Sequence, residues 1–307
     1  MRSLVNRVPT IANRDPAWAG RFYPESPDGC RREIETCLRL GEQFETAPAG
    51  CVGGIVPHAG WVYSGAVAGA VLAAITRPRR LETVILFGAV HRLSGRSAAV
   101  YDRGIWRTPL GDLAVDEELA ASIIDSHEAI LCDRTAHESE HSIEVQVPFL
   151  QHLMPTIRMV PVMVPPSPEA AAIGKAVGRT VRECGRSVAV IGTTDLTHYG
   201  PQYGFTPQGV GESGLRWAKE VNDRRMIDRI LKLDPDQIVA ESVQHRNACG
   251  GGAVAATMAA CEALGATDAT LLCHTTSREA AGRSDASDAV GYAGIVFHTA
   301  GQPMRNS

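Results

Sequence analysis

The sequence carries no C-x-x-C pair, no long apolar block, no basic tract and no internal repeat, and each absence removes a class of protein. Its cysteines stand at positions 30, 37, 51, 132, 184, 249, 261 and 273. That scatter is unlike the compact framework of a small secreted domain, so reduced thiols are expected. The stretch from Met1 to Pro16 holds Arg2, Arg7 and Arg14 but no apolar run. Neither a signal peptide nor a membrane span is visible there, and the cytoplasm is the expected compartment. Phosphate backbones are bound by clustered Lys and Arg. With a formal net charge of -4, and with Arg77, Arg79 and Arg80 read as a solvated turn, no nucleic-acid partner is expected.

What is present is a chain able to bury a sizeable core: 307 residues, 44% of them apolar and 21% charged. That length suits a large α/β fold with one continuous sheet, and a single domain over residues 1–307 is expected. Short runs rich in Val and Ile, bounded by Gly, Pro or polar residues, predict buried strands. They are Gly54 to Val56, Thr83 to Phe87, Met159 to Val164, Val188 to Ile191, Thr270 to Cys273 and Tyr292 to Phe297. Helical patterns lie between them at Ala66 to Ile75, Glu117 to Asp125, Glu169 to Glu183, Leu215 to Leu231 and Ala253 to Leu264. The alternation predicts an α/β fold with a central, mostly parallel sheet flanked by helices. Pro201 to Gly214, rich in Gly, Pro and Gln, reads as a long surface loop placed to cover a site.

Three candidate strands end in residues that bind metals or move protons. Ile55-Val56 runs into Pro57-His58-Ala59-Gly60, Leu86-Phe87 into Gly88-Ala89-Val90-His91, and Val190-Ile191 reaches Thr193-Thr194-Asp195-Leu196-Thr197-His198. In open α/β sheets, ligands sit at the carboxyl ends of the strands, so these histidines can converge despite their separation in sequence. A fourth element is Asn247-Ala248-Cys249-Gly250-Gly251-Gly252, directly ahead of an apolar helix. The positive end of a helix favours the thiolate, the form that binds metal, and the glycines admit a close approach of the backbone. Cys30, Cys37, Cys261 and Cys273 sit in apolar or helical surroundings and read as inert core thiols.

His137-Glu138-Ser139-Glu140-His141 matches H-E-x-x-H, the helical signature of zinc proteases, which raises a zinc hydrolase as a minor alternative. That chemistry needs a regular helix with both histidines on one face. The polar Asp133-Arg134-Thr135-Ala136 before it argues against one, and Ser142-Ile143-Glu144 reads as the start of a separate helix continuing through Leu153.

Blocks spread along most of the chain carry a resemblance: Arg14 to Pro24, Pro57 to Gly65, Arg107 to Asp112, Glu140 to Leu150, Asp195 to Tyr199 and Ser287 to Ala293. In this order they resemble the Memo family, the protein-B component of the AmmeMemoRadiSam group. The resemblance implies a fold similar to that of class III extradiol dioxygenases, non-haem iron enzymes that cleave aromatic diols. It implies metal ligands at His58, His91 and Cys249, a pocket histidine at His198 and Asp195 beside it. The family's H-S-I-E segment accounts for His141 without a protease. In the family's G-P-S-H-H block, this chain keeps His91 but replaces the second histidine with Arg92. His141, Tyr63 and Arg92 are further pocket candidates; Trp61, Tyr63 and Tyr199 flank the ligands as pocket wall or core.

A thiolate softens a two-histidine site, so iron and copper are expected and zinc is conceivable. The first reading is a redox metal site acting on an unknown small substrate, with His198 as acid and base and Asp195 orienting it. The alternative is a non-catalytic module that binds metal or a peptide. The resemblance also implies partner proteins of the radical-SAM and AMMECR types.

Overall fold

In the computed structural model, which describes residues 13–92, 95–282 and 287–300, the short apolar runs become the middle of one sheet. The strands in chain order are β1 (Asn13–Arg14), β2 (Cys51–Val56), β3 (Thr83–Gly88), β4 (Ala98–Val100), β5 (Ile105–Thr108) and β6 (Gly111–Ala114). They continue as β7 (Ile130–Cys132), β8 (Arg158–Met163), β9 (Val188–Thr193), β10 (His198–Tyr199), β11 (Asp268–Thr276) and β12 (Ala289–His298). The helices are α1 (Pro27–Gly41), α2 (Trp61–Thr76), α3 (Glu117–Asp125), α4 (Val147–Leu153), α5 (Ala170–Cys184), α6 (Glu212–Trp217), α7 (Arg224–Leu231), α8 (Pro235–His245), α9 (Gly251–Ala263) and α10 (Ser277–Ala280).

The main sheet is α/β in character. Its centre is four adjacent parallel strands, β2-β9-β3-β8, as buried runs of Val and Ile require. Antiparallel strands extend both flanks: β12 on β2 and β11 on β12 at one side, β4 on β8 at the other, with β7 parallel to β4. A separate three-stranded sheet, β1-β5-β6, was not foreseen. Adjacent residues of β2 fix where the helices lie. A side chain at Gly53 would strike Cys261 of α9, and one at Gly54 would strike Val71 of α2, so these helices cover opposite faces.

One apolar cluster runs from Tyr23 to Phe297 and holds both layers together. Arg79, expected in solvent, is half-buried and donates to the carbonyl of Val188 at 3.3 Å, closing the amino end of β9. Among the described residues, no helix is long and apolar enough to cross a membrane. Residues 1–12, which include Arg2 and Arg7, lie outside the described residues.

On the α9 face, α5 packs so closely that a Cβ at Gly174 would overlap the carbonyl oxygen of Ala256, and one at Gly178 would press on Ala260. Close-packed interiors do not absorb an added methyl group freely. Gly174→Ala is therefore expected to lower unfolding stability by about 1–3 kcal/mol. Urea denaturation checks this, and an unchanged midpoint would show that the two helices can separate at no cost.

Candidate metal centre

Three loops from the carboxyl ends of neighbouring strands meet in one crevice. His58 lies two residues beyond β2, and its N–H donates at 2.8 Å to Oδ1 of Asp195, itself two residues beyond β9. Cys249, between α8 and α9, donates its N–H to the Asp195 carbonyl at 3.1 Å. Its sulfur accepts the N–H of Asp195 at 3.3 Å and lies 3.1 Å from His58 Nε2. The glycines after Cys249 admit the chain's own strand ends. A Cβ at Gly250 would overlap the carbonyl of Thr193, and one at Gly252 the carbonyl of Pro165. Small residues thus let the start of α9 press Cys249 into the crevice.

The third and fourth sides come from His91, past β3, and His141, from the loop before α4. Ligand atoms of His58, His91 and His141 lie within 4.8 Å of one another. The His91 and His141 rings stack at 4.6 Å between centroids, while His58 stands across both at 86–90°. Glu140, which the sequence reading passed over, organises the pair. Its Oε1 lies 2.9 Å from His91 Nδ1 and 3.3 Å from His141 Nδ1, and its oxygens accept the N–H groups of His91, His141 and Ser142. A carboxylate only accepts, so the His91 ring donates its Nδ1–H to Glu140, while His141 is held through its backbone N–H; a neutral His91 would then offer Nε2 to an ion, the usual carboxylate–histidine–metal arrangement.

Electrostatics follow from burial and from these neighbours. Burial pulls the pKa of His58 well below its usual value, with the charges of His91 and His141 acting the same way, so its ring is neutral. Burial also opposes charge on His91, but hydrogen bonds to Cys249 and Glu140 outweigh it and raise the pKa to about 10. Glu140 falls to about 2, since its bonds and charge pairing with His91 outweigh burial. His141 is lowered to about 4, first by burial and then by the charge on His91. An entering cation must therefore displace a proton from His91. The buried Nδ1 of His58 has no hydrogen-bond partner. The orphaned nitrogen and neutral ring of His58, the imidazoles of His91 and His141 and a nearby sulfur form a donor set that fits a borderline-soft cation.

The H-E-x-x-H segment is not a helix: His137 ends one short 3₁₀ turn, Thr135–His137, and residues 138–141 are turn and irregular chain ahead of a second, Glu144–Gln146. His137 is turned away from the crevice: its Nε2 donates to the carbonyl of Ala99 at 3.0 Å, and the residue is fully buried. The zinc-protease geometry is therefore absent. Glu144 is buried as well, in an ion pair with Arg14 at 2.7 Å, and accepts the Tyr23 hydroxyl. Gln146 donates to the carbonyl of Pro57, directly before His58.

Beside the cluster opens a cavity of about 550 Å³ lined by His141, Asp195, His198, Tyr63, Tyr203 and Arg278, among others. His198 Nδ1 donates to the carbonyl of Leu196 at 3.0 Å, which leaves Nε2 as the basic atom of the neutral ring. Burial raises the pKa of Asp195, against the opposing pull of His198 and of the His58 amide. Tyr63 is pocket wall, while Trp61 and Tyr199 are core. The loop after His198 does border the cavity, through Gln202 and Tyr203. A π-helical turn, Ala218–Asp223, holds the chain just ahead of His198. Asp223 accepts the N–H of Thr197, and Asn222 donates to the Thr197 hydroxyl and accepts from Asn247.

A family model described as Memo-like protein matches residues 14–296. The chain belongs to the Memo family. MEMO1 family proteins of Methanopyrus kandleri and Methanothermobacter thermautotrophicus are 37% and 39% identical to it, over 92% and 91% of this chain and 98% of each relative. A solved structure of an uncharacterized protein from Escherichia coli K12 aligns over 92% of this chain and 99% of its own at 10% identity and a TM-score of 0.40, too distant to carry an argument. Arg92, this Memo-family chain's departure after His91, is exposed, and its charge helps to keep His141 neutral.

Burial lowers the pKa of His137 to about 3, well under the usual 6.5. The unfolded chain therefore takes up this proton first, and stability falls as pH drops from 6.5 towards 3, by up to about 1.4 kcal/mol per unit from this ring. His137→Gln keeps a donor for Ala99 without a titrating ring. Urea unfolding at pH 7, 6 and 5 should show a shallower loss for the variant, and equal slopes would contradict the assignment.

Proposed function

We propose that the chain is a metal-dependent oxidoreductase in which His58, His91 and Cys249, with His141 completing the set, hold an iron or copper ion beside a pocket for a small substrate. The single observation that carries this reading is the convergence of three imidazoles within 4.8 Å, two of them anchored by one buried carboxylate. The thiol 3.1 Å from His58 favours a softer cation than a purely oxygen site would, and leaves zinc as the redox-inert possibility. The dioxygenase likeness implied by the family resemblance agrees with this class of chemistry.

Bound there, such an ion would supply electron transfer from the substrate to an oxidant such as dioxygen. The chain's own residues do the remaining work. Glu140 fixes the His91 ring and the His141 backbone so that little reorganisation is needed on binding. Asp195 holds the backbone of His58 and borders the cavity. His198, with its Nδ1–H committed to Leu196, takes a proton from a substrate hydroxyl at Nε2 and returns it to product. Tyr63 and Tyr203 narrow the cavity and restrict water. Any radical-SAM or AMMECR-type partner belongs to the same proposal and would supply or receive the substrate.

Elemental mass spectrometry on anaerobically purified protein tests the centre. About one iron or copper per chain is expected, lost in His58→Ala and His91→Ala, with affinity lowered about 10–100-fold in Glu140→Gln. Absence of metal, or metal indifferent to all three substitutions, would overturn it. Catalysis is tested separately by oxygen uptake with candidate reductants. Turnover beyond one equivalent that drops about 10²–10⁴-fold in His198→Ala supports an enzyme, whereas stoichiometric saturation identifies the binding module instead.

A further inference from the structure

His198 takes its orientation from a carbonyl rather than from a carboxylate. Its Nδ1–H donates to the Leu196 carbonyl at 3.0 Å, whereas Asp195, its neighbour in the cavity wall, receives the His58 amide on Oδ1. The carbonyl of Leu196 and the N–H of Thr197 belong to one peptide unit, and no cis peptide bond occurs among the described residues. In a planar trans peptide these two groups point opposite ways, so whatever grips the N–H also aims the carbonyl.

That N–H is held by a buried acid. Asp223, 1% exposed, accepts it through Oδ1 at 2.9 Å and turns Oδ2 to Nε2 of His274 at 3.0 Å. A carboxylate only accepts, so His274 carries a proton on Nε2. The carboxylate lies where a Cβ on Gly291 of β12 would overlap Oδ2. Gly291 in turn accepts the N–H of Leu196 at 2.8 Å and donates its own to the Thr197 carbonyl at 3.1 Å. Asn222, beside Asp223 in the π-helical turn, donates to the Thr197 hydroxyl at 3.1 Å. Strand β12 and the turn therefore clamp one short stretch, Leu196 to Thr197, directly ahead of His198. Single π-helical turns are rare and recur at functional sites.

We infer that Asp223 is a positioning residue for His198, acting through the Leu196–Thr197 peptide, with His274 as its buried counterpart. The inference rests on reading His198 as acid and base in the proposed function. Asp223 is not part of the cavity wall, so it acts on a reaction only through His198. The order of groups is His274 Nε2–H, Asp223 carboxylate, Thr197 N–H, Leu196 carbonyl, His198 Nδ1–H. A hydrogen bond to an ionised acceptor is stronger than a neutral one, and bonds in series polarise one another. The charge on Asp223 thus makes the Leu196 carbonyl a better acceptor. It holds the His198 ring in its Nδ1–H form and leaves Nε2 as the atom that takes a proton.

The test reads the ring signals of His198 and His274 by NMR at mildly alkaline pH, where imidazoles are neutral. The full chain is used, with any paramagnetic ion removed by chelation and the His198 signals assigned against His198→Gln. Asp223→Asn keeps an acceptor for the Thr197 amide and loses the charge. In it the His198 Nδ1–H proton should move upfield and exchange faster with water, and His274 should switch to its Nδ1–H tautomer to accept from the new amide. Asp223→Leu, which offers no acceptor, should shift His198 towards the Nε2–H tautomer. An unchanged His198 Nδ1–H signal in Asp223→Asn would overturn the inference, whether or not Asp223→Leu folds. In oxygen uptake, Asp223→Asn should lower kcat about tenfold at unchanged KM and metal content. Full turnover in that variant would also overturn it. If the native chain shows no turnover, the proposed function fails, while the ring signals still decide this inference.

Discussion

The segment from β7 to α4 has little regular structure, and one buried guanidinium gives it its shape. Arg14 pairs with Glu144, donates to the carbonyls of His137 and Glu140, and lies 4.1 Å above the Trp106 ring. Four fixed points on one side chain set the path of residues 137–144. Leaving one partner of such a buried pair alone costs about 3–5 kcal/mol, so the path is strongly enforced. Because of it, His137 faces the core, Glu140 faces the end of β3, and His141 enters the crevice. The N-terminal strand β1, only two residues long, is thereby part of the construction of the histidine cluster.

The same structure separates one cysteine from the others by environment. Burial raises the Cys30 thiol to about 11, Cys37 to about 12 and Cys273 to about 11, and pushes Cys261 higher still. Such thiols stay protonated and are poor ligands. Cys249 instead meets a backbone amide and an imidazole, at a place where glycine lets a helix approach the strand ends. Contact with donors, rather than exposure alone, distinguishes it.

The strand-end loops were legible because a buried strand announces itself by composition and its last residues are displayed in the crevice by topology. That logic pointed to His58, His91, Asp195 and His198 without any pairing information, and the start of an apolar helix pointed to Cys249. It did not find Glu140, whose role lies in a carboxylate pointing back at two rings from an irregular loop; its adjacency to His141 was the available sign. Helix α1 escaped notice because two of its buried positions are cysteines, Cys30 and Cys37, which weaken the apolar periodicity. Its cap was readable, with Ser26 accepting from Gly29 and Pro27 in the first turn. Strand direction was beyond composition at the flanks: β12 reads like the central runs yet lies antiparallel between β11 and β2.

His58 and Cys249, 3.1 Å apart, are separated by 191 positions in the chain, and the ring and carboxylate of His91 and Glu140 by 49. No short piece of the unfolded polypeptide can reproduce that set of donors, so a cation has nothing comparable to grip until the central strands have docked. A metal ion held this way would act on the finished molecule: it would deepen the native basin by mass action, without guiding the early search for the fold.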